Sequence, residues 1–290
     1  MYELVQIAKD TYYINNPAKM GVCRIHGDNV ILIDSGNDKE AGKKIIKILN
    51  EKGWTLESII CTHSNADHTG GNKLLAERTG CKIYTTKLEG AFCEFPILES
   101  SFLYGGFPAK PLRNKFLMAE PCRTYDISEL ILPKGMEVFP LGGHYFDMIG
   151  IKTQDDVYFL ADCVSGEGTI KKYHIVFIYD VAKYLKTLEM IRTLKGKFIP
   201  SHADVTDDIT HLVDINREKV FEIIETIKSI CKVPNMFETI LKNLFFRYDL
   251  MMDFNQYVLV GSTLRSYLSY MLDNQMIEAD FKDNSLLWKV

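Results

Sequence analysis

Short runs of β-branched and aromatic residues dominate the start of the chain. Residues 3–34 divide into YELVQIA, TYYIN, GVCRI and NVILID, with Gly27-Asp28-Asn29 as a turn, and this composition predicts strands. The period then changes. Over 38–52, Ala41, Ile45, Ile46 and Leu49 recur at helical spacing and Gly53 closes the run, which predicts a helix. A short apolar strand at 58–61 leads into the stretch CTHSNADHTGG (61–71). From Thr69 the chain predicts a helix that stops at Gly80, and 82–86 a further strand. Strand and helix alternate, which is the pattern of an α/β fold.

Residues 88–125 break this rhythm. They are rich in Phe, Tyr, Gly and Pro and show no period, so they predict a long irregular insertion whose aromatic content argues against disorder. Strands resume with ISELILP and MEVFPL, which lead to Gly142-Gly143-His144. DMIGIKT and DVYFLAD predict a hairpin ending at Asp162. Residues 180–195 predict an amphipathic helix with Val181, Tyr184, Leu185, Leu188 and Ile191 on one stripe, and KFIPSHAD a strand ending near His202. The strand–helix order of the first part recurs loosely over 126–200. Beyond Asp207 the pattern is helical, with apolar stripes through 211–231, 235–248 and 262–272. A terminal hairpin turning at Asp283-Asn284 follows, which suggests a winged-helix-like C-terminal domain over 206–290.

Composition narrows the function classes. The chain has 290 residues, 47% hydrophobic and 25% charged, within the range of globular proteins. A net charge of −4 offers no basic field for nucleic acid or anionic membrane. In the helical C-terminal part acidic residues outnumber basic ones, which opposes a nucleic-acid partner there too. No apolar run approaches the roughly 20 residues that span a bilayer, and MYELVQIAKD lacks the pattern of a signal peptide, so a cytoplasmic location is expected. Seven cysteines, an odd number with no C-x-x-C pair, predict reduced and buried thiols, Cys163 among them.

Candidate chemistry gathers at predicted strand ends. His63, Asp67 and His68 follow the strand at 58–61, His144 follows MEVFPL, Asp162 ends DVYFLAD, and His202 follows KFIP. Side chains at the ends of several strands of one sheet converge on one cleft, and imidazole with carboxylate suits zinc and non-haem iron.

These pieces resemble the metallo-β-lactamase-fold hydrolases, whose pattern is H-x-H-x-D-H, then Gly-His, then Asp, then a last His. Here the pattern reads His63-Ser64-Asn65-Ala66-Asp67-His68, Gly143-His144, Asp162 and His202, and IDSG at 33–36 resembles the family's structural aspartate. The resemblance covers about 1–205 and implies an αββα sandwich of two mixed sheets with helices on both outer faces. It implies one metal held by His63, position 65 and His144, a second held by Asp67, His68 and His202, and Asp162 between them. Asn65 departs from the pattern, and three arrangements stay open: two metals with Asn65 as a poor ligand or hydrogen-bond donor, one metal at the second site, or a two-His-one-carboxylate site of His63, His144 and Asp162 for iron. The resemblance implies a metal-dependent hydrolase of a small ester or thioester, with one or two zinc ions and Asp67 orienting or deprotonating the attacking water. An iron redox enzyme like the persulfide dioxygenases, or a diiron protein, is an alternative. A phosphodiesterase or ribonuclease is another, and a non-catalytic metal sensor a further one.

The partner is expected to be a small molecule. The insertion 88–125 is the expected selector, with Phe102, Tyr104, Phe107 and Phe116 as an apolar lid and Lys110, Arg113 and Lys115 as an anion contact. The alternative is a homodimer interface or simple packing. Tyr104, Phe107, Arg113 and His174 are the candidate substrate-binding residues.

Overall fold

The computed structural model describes residues 2–290. The chain opens with an antiparallel meander of β1 (Glu3–Gln6), β2 (Thr11–Asn15), β3 (Met20–His26) and β4 (Asn29–Ile33). Helix α1 (Lys39–Lys52) starts where the Asp38 carboxylate accepts from the backbone N–H groups of Glu40 and Ala41, and stops where Gly53 turns left-handed. It crosses over to β5 (Thr55–Ile60), which pairs parallel with β4. Then come the one-turn helix α2 (Ala66–Thr69), α3 (Asn72–Thr79) and β6 (Lys82–Thr85), parallel to β5.

The insertion is more regular than its sequence predicts. It holds α4 (Lys87–Glu94) and α5 (Ile97–Tyr104), separated at Pro96. Along α5, ILESSFLY, apolar residues occur on all sides, so no helical stripe shows. The strand expected at 127–133 is also corrected. Only β7 (Tyr125–Asp126) pairs with β6, because Asp126 caps a tight turn over Ile127–Glu129 by accepting from the Ser128 N–H.

The second sheet contains β8 (Glu137–Pro140), β9 (Ile149–Lys152), β10 (Val157–Ser165) and β11 (Lys197–His202), in the order β11-β10-β9-β8. β10 and β11 are parallel and the other pairs antiparallel, so both sheets are mixed. Between β10 and β11 lie α6 (Glu167–Tyr173) and α7 (Val181–Arg192).

Side-chain alternation builds the layers. In β4, Val30 and Leu32 meet Ile45 and Leu49 of α1 on the outer face, while Ile31 and Ile33 face the second sheet. In β10, Val157 and Phe159 face the first sheet, and Tyr158 and Leu160 face the helices beyond. Each such buried aliphatic side chain stabilises the fold by roughly 1.5–3 kcal/mol. The result is the αββα sandwich that the sequence resemblance implies.

The C-terminal part forms α8 (Thr210–Ile230), α9 (Phe237–Arg247), α10 (Phe254–Asp273) and the hairpin β12 (Glu278–Lys282)–β13 (Ser285–Lys289). Asp283 and Asn284 both turn left-handed at the hairpin's tip. Val220, Ile224, Leu241, Leu264 and Tyr267 from these helices share one apolar core with Leu160, Tyr184 and Leu188. The change of pattern at 206 is therefore no break in the core, and α10 reaches back toward the ligand-bearing strand ends.

Candidate metal centre

His63, Asp67, His68, His144, Asp162 and His202 come together at one edge of the sandwich. Their potential ligand atoms fall into two groups, His63–His144–Asp162 and Asp67–His68–His202, each spanning no more than 4.8 Å. Asp162 stands between them. Its oxygens lie 3.1 Å from His68 Nε2, 3.2 Å from His202 Nε2 and 3.7 Å from His144 Nε2. Asp67 Oδ2 lies 3.3 Å from His202 Nε2 and 3.8 Å from His68 Nε2.

Local structure aims these groups. His63 sits just past β5, and Asp67 and His68 lie on α2, a helical turn where the sequence predicts a loop. The Gly-Gly that follows permits a close approach: a Cβ on Gly70 would lie 2.3 Å from the Asn37 carbonyl carbon. Gly143 has φ +122, and a Cβ there would lie 2.3 Å from the Tyr184 backbone, so glycine is required before His144. Asp162 is not at a strand end. It follows Ala161, whose φ is +48, at a register shift inside β10, and this irregularity turns its carboxylate toward the histidines.

The outer ring nitrogens are each engaged. His68 Nδ1–H donates to Asp34 Oδ2 at 2.8 Å, His144 Nδ1–H to the Phe177 carbonyl at 3.0 Å, and His202 Nδ1–H to the Pro17 carbonyl at 2.9 Å. His63 Nδ1 lies 3.0 Å from Thr62 Oγ1, which itself donates to Asp34. Carbonyls and carboxylates only accept, so Nδ1 carries the proton and Nε2 faces the centre. His63 Nε2 is buried without a hydrogen-bond partner, and His68 Nε2 and Asp162 Oδ1, 3.1 Å apart, have no partner beyond each other. An orphaned buried polar atom costs about 1–3 kcal/mol, and a divalent cation is the species that would satisfy His63 Nε2 together with the Asp162 carboxylate beside it. The residues fit a metal.

Charge agrees with this. Burial opposes the charged form of His68, but the carboxylates of Asp162, Asp67 and Asp34 together outweigh it and hold His68 well above the imidazole range. Asp162, helped by its hydrogen bond, pushes His202 up to about 10 against burial. Burial raises both central carboxyls, yet His68 and His202 hold Asp67 at about 2 and Asp162 well below its range. Burial keeps His63 and His144 low, hence neutral. Without metal, protonated His68 and His202 balance the two carboxylates.

Asn65 faces the centre. Its Oδ1 lies 3.2 Å from His144 Nε2, and its Nδ2 donates to Glu99 Oε1 at 3.0 Å. Glu89 accepts from Ser64 N–H, Ser64 Oγ–H and Asp147 N–H, tying the His63 loop to the turn after His144. Sequence reasoning missed both acids. The available signal was three lone acidic residues, Glu89, Glu94 and Glu99, inside the apolar run LEGAFCEFPILESSFLY.

A cavity of about 840 Å³ opens onto Asp67, His144, Asp162 and His202. Its walls are Ile175, Val176 and Phe177 on one side and Leu259 and Val260 of α10 on the other, with Phe116 from the insertion and Lys19 and Lys172 also lining it. Tyr104, Phe107, Arg113 and His174, the expected substrate-binding residues, do not line it. Tyr104 ends α5 and faces a separate groove beside Tyr179 and Arg265. Phe107 is exposed on the far side of Gly105-Gly106, with the Arg113 guanidinium over its ring. The His174 ring stacks on Tyr248, which draws it away from the cavity. Lys115 pairs with Asp38 rather than offering a free cation. Cys163 is buried, as expected.

The family model described as "Metallo-beta-lactamase superfamily" matches residues 20–202, which include every candidate ligand. The chain belongs to the metallo-beta-lactamase superfamily. The curated relatives include a Beta-lactamase-like protein 2 homolog from Drosophila melanogaster, 26% identical over 63% of this chain. The chain spans little more than half of that protein, 57% of its length. A hydroxyacylglutathione hydrolase from Erythrobacter litoralis is 44% identical over 54 residues, 17% of this chain and 22% of that protein. The crystal structure of a beta-lactamase domain protein from Burkholderia ambifaria shares the fold at a TM-score of 0.78 and 15% identity, covering 99% of this chain and 94% of that one. The shared fold thus extends over the C-terminal helices. Members of the superfamily are mostly metal-dependent hydrolases. No helix among the described residues is long and apolar enough to cross a membrane.

Proposed function

We propose that this superfamily member is a metal-dependent hydrolase of a small ester or thioester, with zinc as the metal. The observation that carries the reading is the pair of ligand groups with the Asp162 carboxylate between them, opening on a cavity with apolar walls. The local likeness to hydroxyacylglutathione hydrolases supports a thioester in particular.

His63, His144 and Asp162 would hold one ion, and Asp67, His68, His202 and Asp162 the other. Bound there, the metal lowers the pKa of water toward about 7 and polarises the acyl oxygen. Asp67 lines the cavity, half-buried, and stays ionised, so it orients the attacking water by accepting its proton in a hydrogen bond. Ile175, Val176, Phe177 and Leu259 exclude water around the acyl group, and Lys172 and Lys19 suit an anionic carrier.

Assay of the metal-loaded protein against short acyl thioesters, acyl esters and phosphodiesters tests this. Turnover of thioesters or esters above the phosphodiesters is expected. Faster phosphodiester cleavage, or no acyl hydrolysis, overturns it. A second reading, iron redox chemistry, is favoured by one observation: His63, His144 and Asp162 form a two-His-one-carboxylate group by themselves. Oxygen consumption with bound iron would select it.

A further inference from the structure

Asn65 stands where the superfamily pattern has a histidine, and its side chain is held from behind. The Asn65 carbonyl accepts from His68 N–H at 3.0 Å, Thr69 N–H at 3.2 Å and Thr69 Oγ–H at 3.1 Å, which fixes the backbone. Glu99 of α5 then receives the amide N–H group at 3.0 Å. Glu99 is 6% exposed, and Leu103, Leu117, Leu259 and Tyr145 join it in lining a chamber of about 150 Å³ beside the centre. A buried carboxyl needs a partner, and Asn65 is the hydrogen-bond partner the structure gives it. With Nδ2 committed to Glu99, Oδ1 is turned toward His144 Nε2, 3.2 Å away. The His144 Nδ1 proton is committed to the Phe177 carbonyl, so in the neutral ring Nε2 is a bare lone pair. Two lone pairs then face one point, and a cation there attracts both.

We propose that Asn65 is a metal ligand through Oδ1, held in that orientation by Glu99, so that the first site is built from two imidazole nitrogens, one amide oxygen and the shared Asp162 carboxylate. The proposal rests on the metal-centre reading above and deepens it. Glu99 is a positioning residue, as carboxylates are behind metal-bound histidines.

The test uses Zn²⁺ alone, titrated into chelator-stripped full-length protein and counted by calorimetry and elemental mass spectrometry. Wild type is expected to bind about two ions per chain. Asn65→Ala and Glu99→Leu are expected to weaken one of them about 10–100-fold and leave the other in place. Glu99→Gln, which keeps an oxygen acceptor, retains both. Wild-type binding of both ions by Glu99→Leu or by Asn65→Ala overturns the proposal. Should Glu99→Leu not fold, the Asn65 side-chain amide is read by NMR in zinc-loaded wild type. Its NH₂ signals, assigned by their loss in Asn65→Ala, are expected to be protected from solvent exchange, and fast exchange overturns the proposal. Binding of no ion removes the metal centre itself. Two ions with no acyl hydrolysis removes only the hydrolase reading.

Discussion

Asp34 Oδ2 lies 2.8 Å from His68 Nδ1, and the same carboxylate accepts from Thr62 N–H at 2.7 Å and Thr62 Oγ–H at 2.8 Å. One buried acid thus sets two neighbouring ligands, His68 directly and His63 through Thr62. It does so from a left-handed backbone, φ +60, a strained position for a residue other than glycine. Asp34→Asn would turn an amide N–H toward His68 Nδ1 and move the ring proton to Nε2, the ligating atom. Zinc affinity is expected to fall about 10–100-fold, with the helical content unchanged by circular dichroism. Unaltered affinity would make Asp34 a structural residue only.

Metal and protons compete for the same nitrogens. His202 is raised to about 10 and His68 well above the imidazole range, so both carry protons at neutral pH in the metal-free protein. Zinc binding near pH 7 is therefore expected to release roughly one to two protons per chain. Calorimetry in buffers of different ionisation enthalpy measures the number, and a value near zero contradicts the charge pattern.

Glu89 ties the His63 loop to the turn after His144, and burial pushes its carboxyl from 4.5 up to about 7 despite the hydrogen bonds of Ser64 and Asp147. An acid whose folded value exceeds its unfolded value holds its proton longer when folded. The stability it gives is full below the unfolded value and lost as pH rises through the folded one. The Tm of wild type minus that of Glu89→Gln is expected to be larger near about pH 5 than near about pH 8, in metal-free protein. A difference independent of pH would contradict the shift.

Leu259 connects the C-terminal helices to the chemistry, since it lines both the main cavity and the chamber beside Asn65. Leu259→Trp would fill that space. It is expected to raise KM for longer acyl thioesters several-fold more than for acetyl thioesters, with the ion count unchanged. Equal effects on all chain lengths would place the acyl group elsewhere.

Much of this was legible in the sequence because the ligands are local signals: HSNADH and Gly143-His144 each follow a strand that composition alone predicts, Asp162 lies inside such a strand and His202 ends one. Asp162 was mislocated by a few residues, because a bulge at Ala161 leaves no mark in an apolar run. Glu89 and Glu99 were invisible for another reason. They act across 25 and 34 residues on Ser64 and Asn65, from helices whose apolar residues surround them on every side and hide the period. The aromatic residues of the insertion misled in the opposite direction. Phe107 and Arg113 pair with each other at the surface, and only Phe116 reaches the main cavity. Tertiary packing also joined α8–α10 to the second sheet, where the change in pattern at 206 suggested a separate unit.

The metal content of wild type and Asp162→Ala, purified without added metal and measured by elemental mass spectrometry, tests the central claim most directly. Asp162 belongs to the His63–His144 group, and its oxygens also lie 3.1 and 3.2 Å from the Nε2 atoms of His68 and His202 in the other. Wild type is expected to carry about two zinc ions per chain and Asp162→Ala to be depleted of them. Metal-free wild-type protein, or equal metal in the variant, would contradict the account.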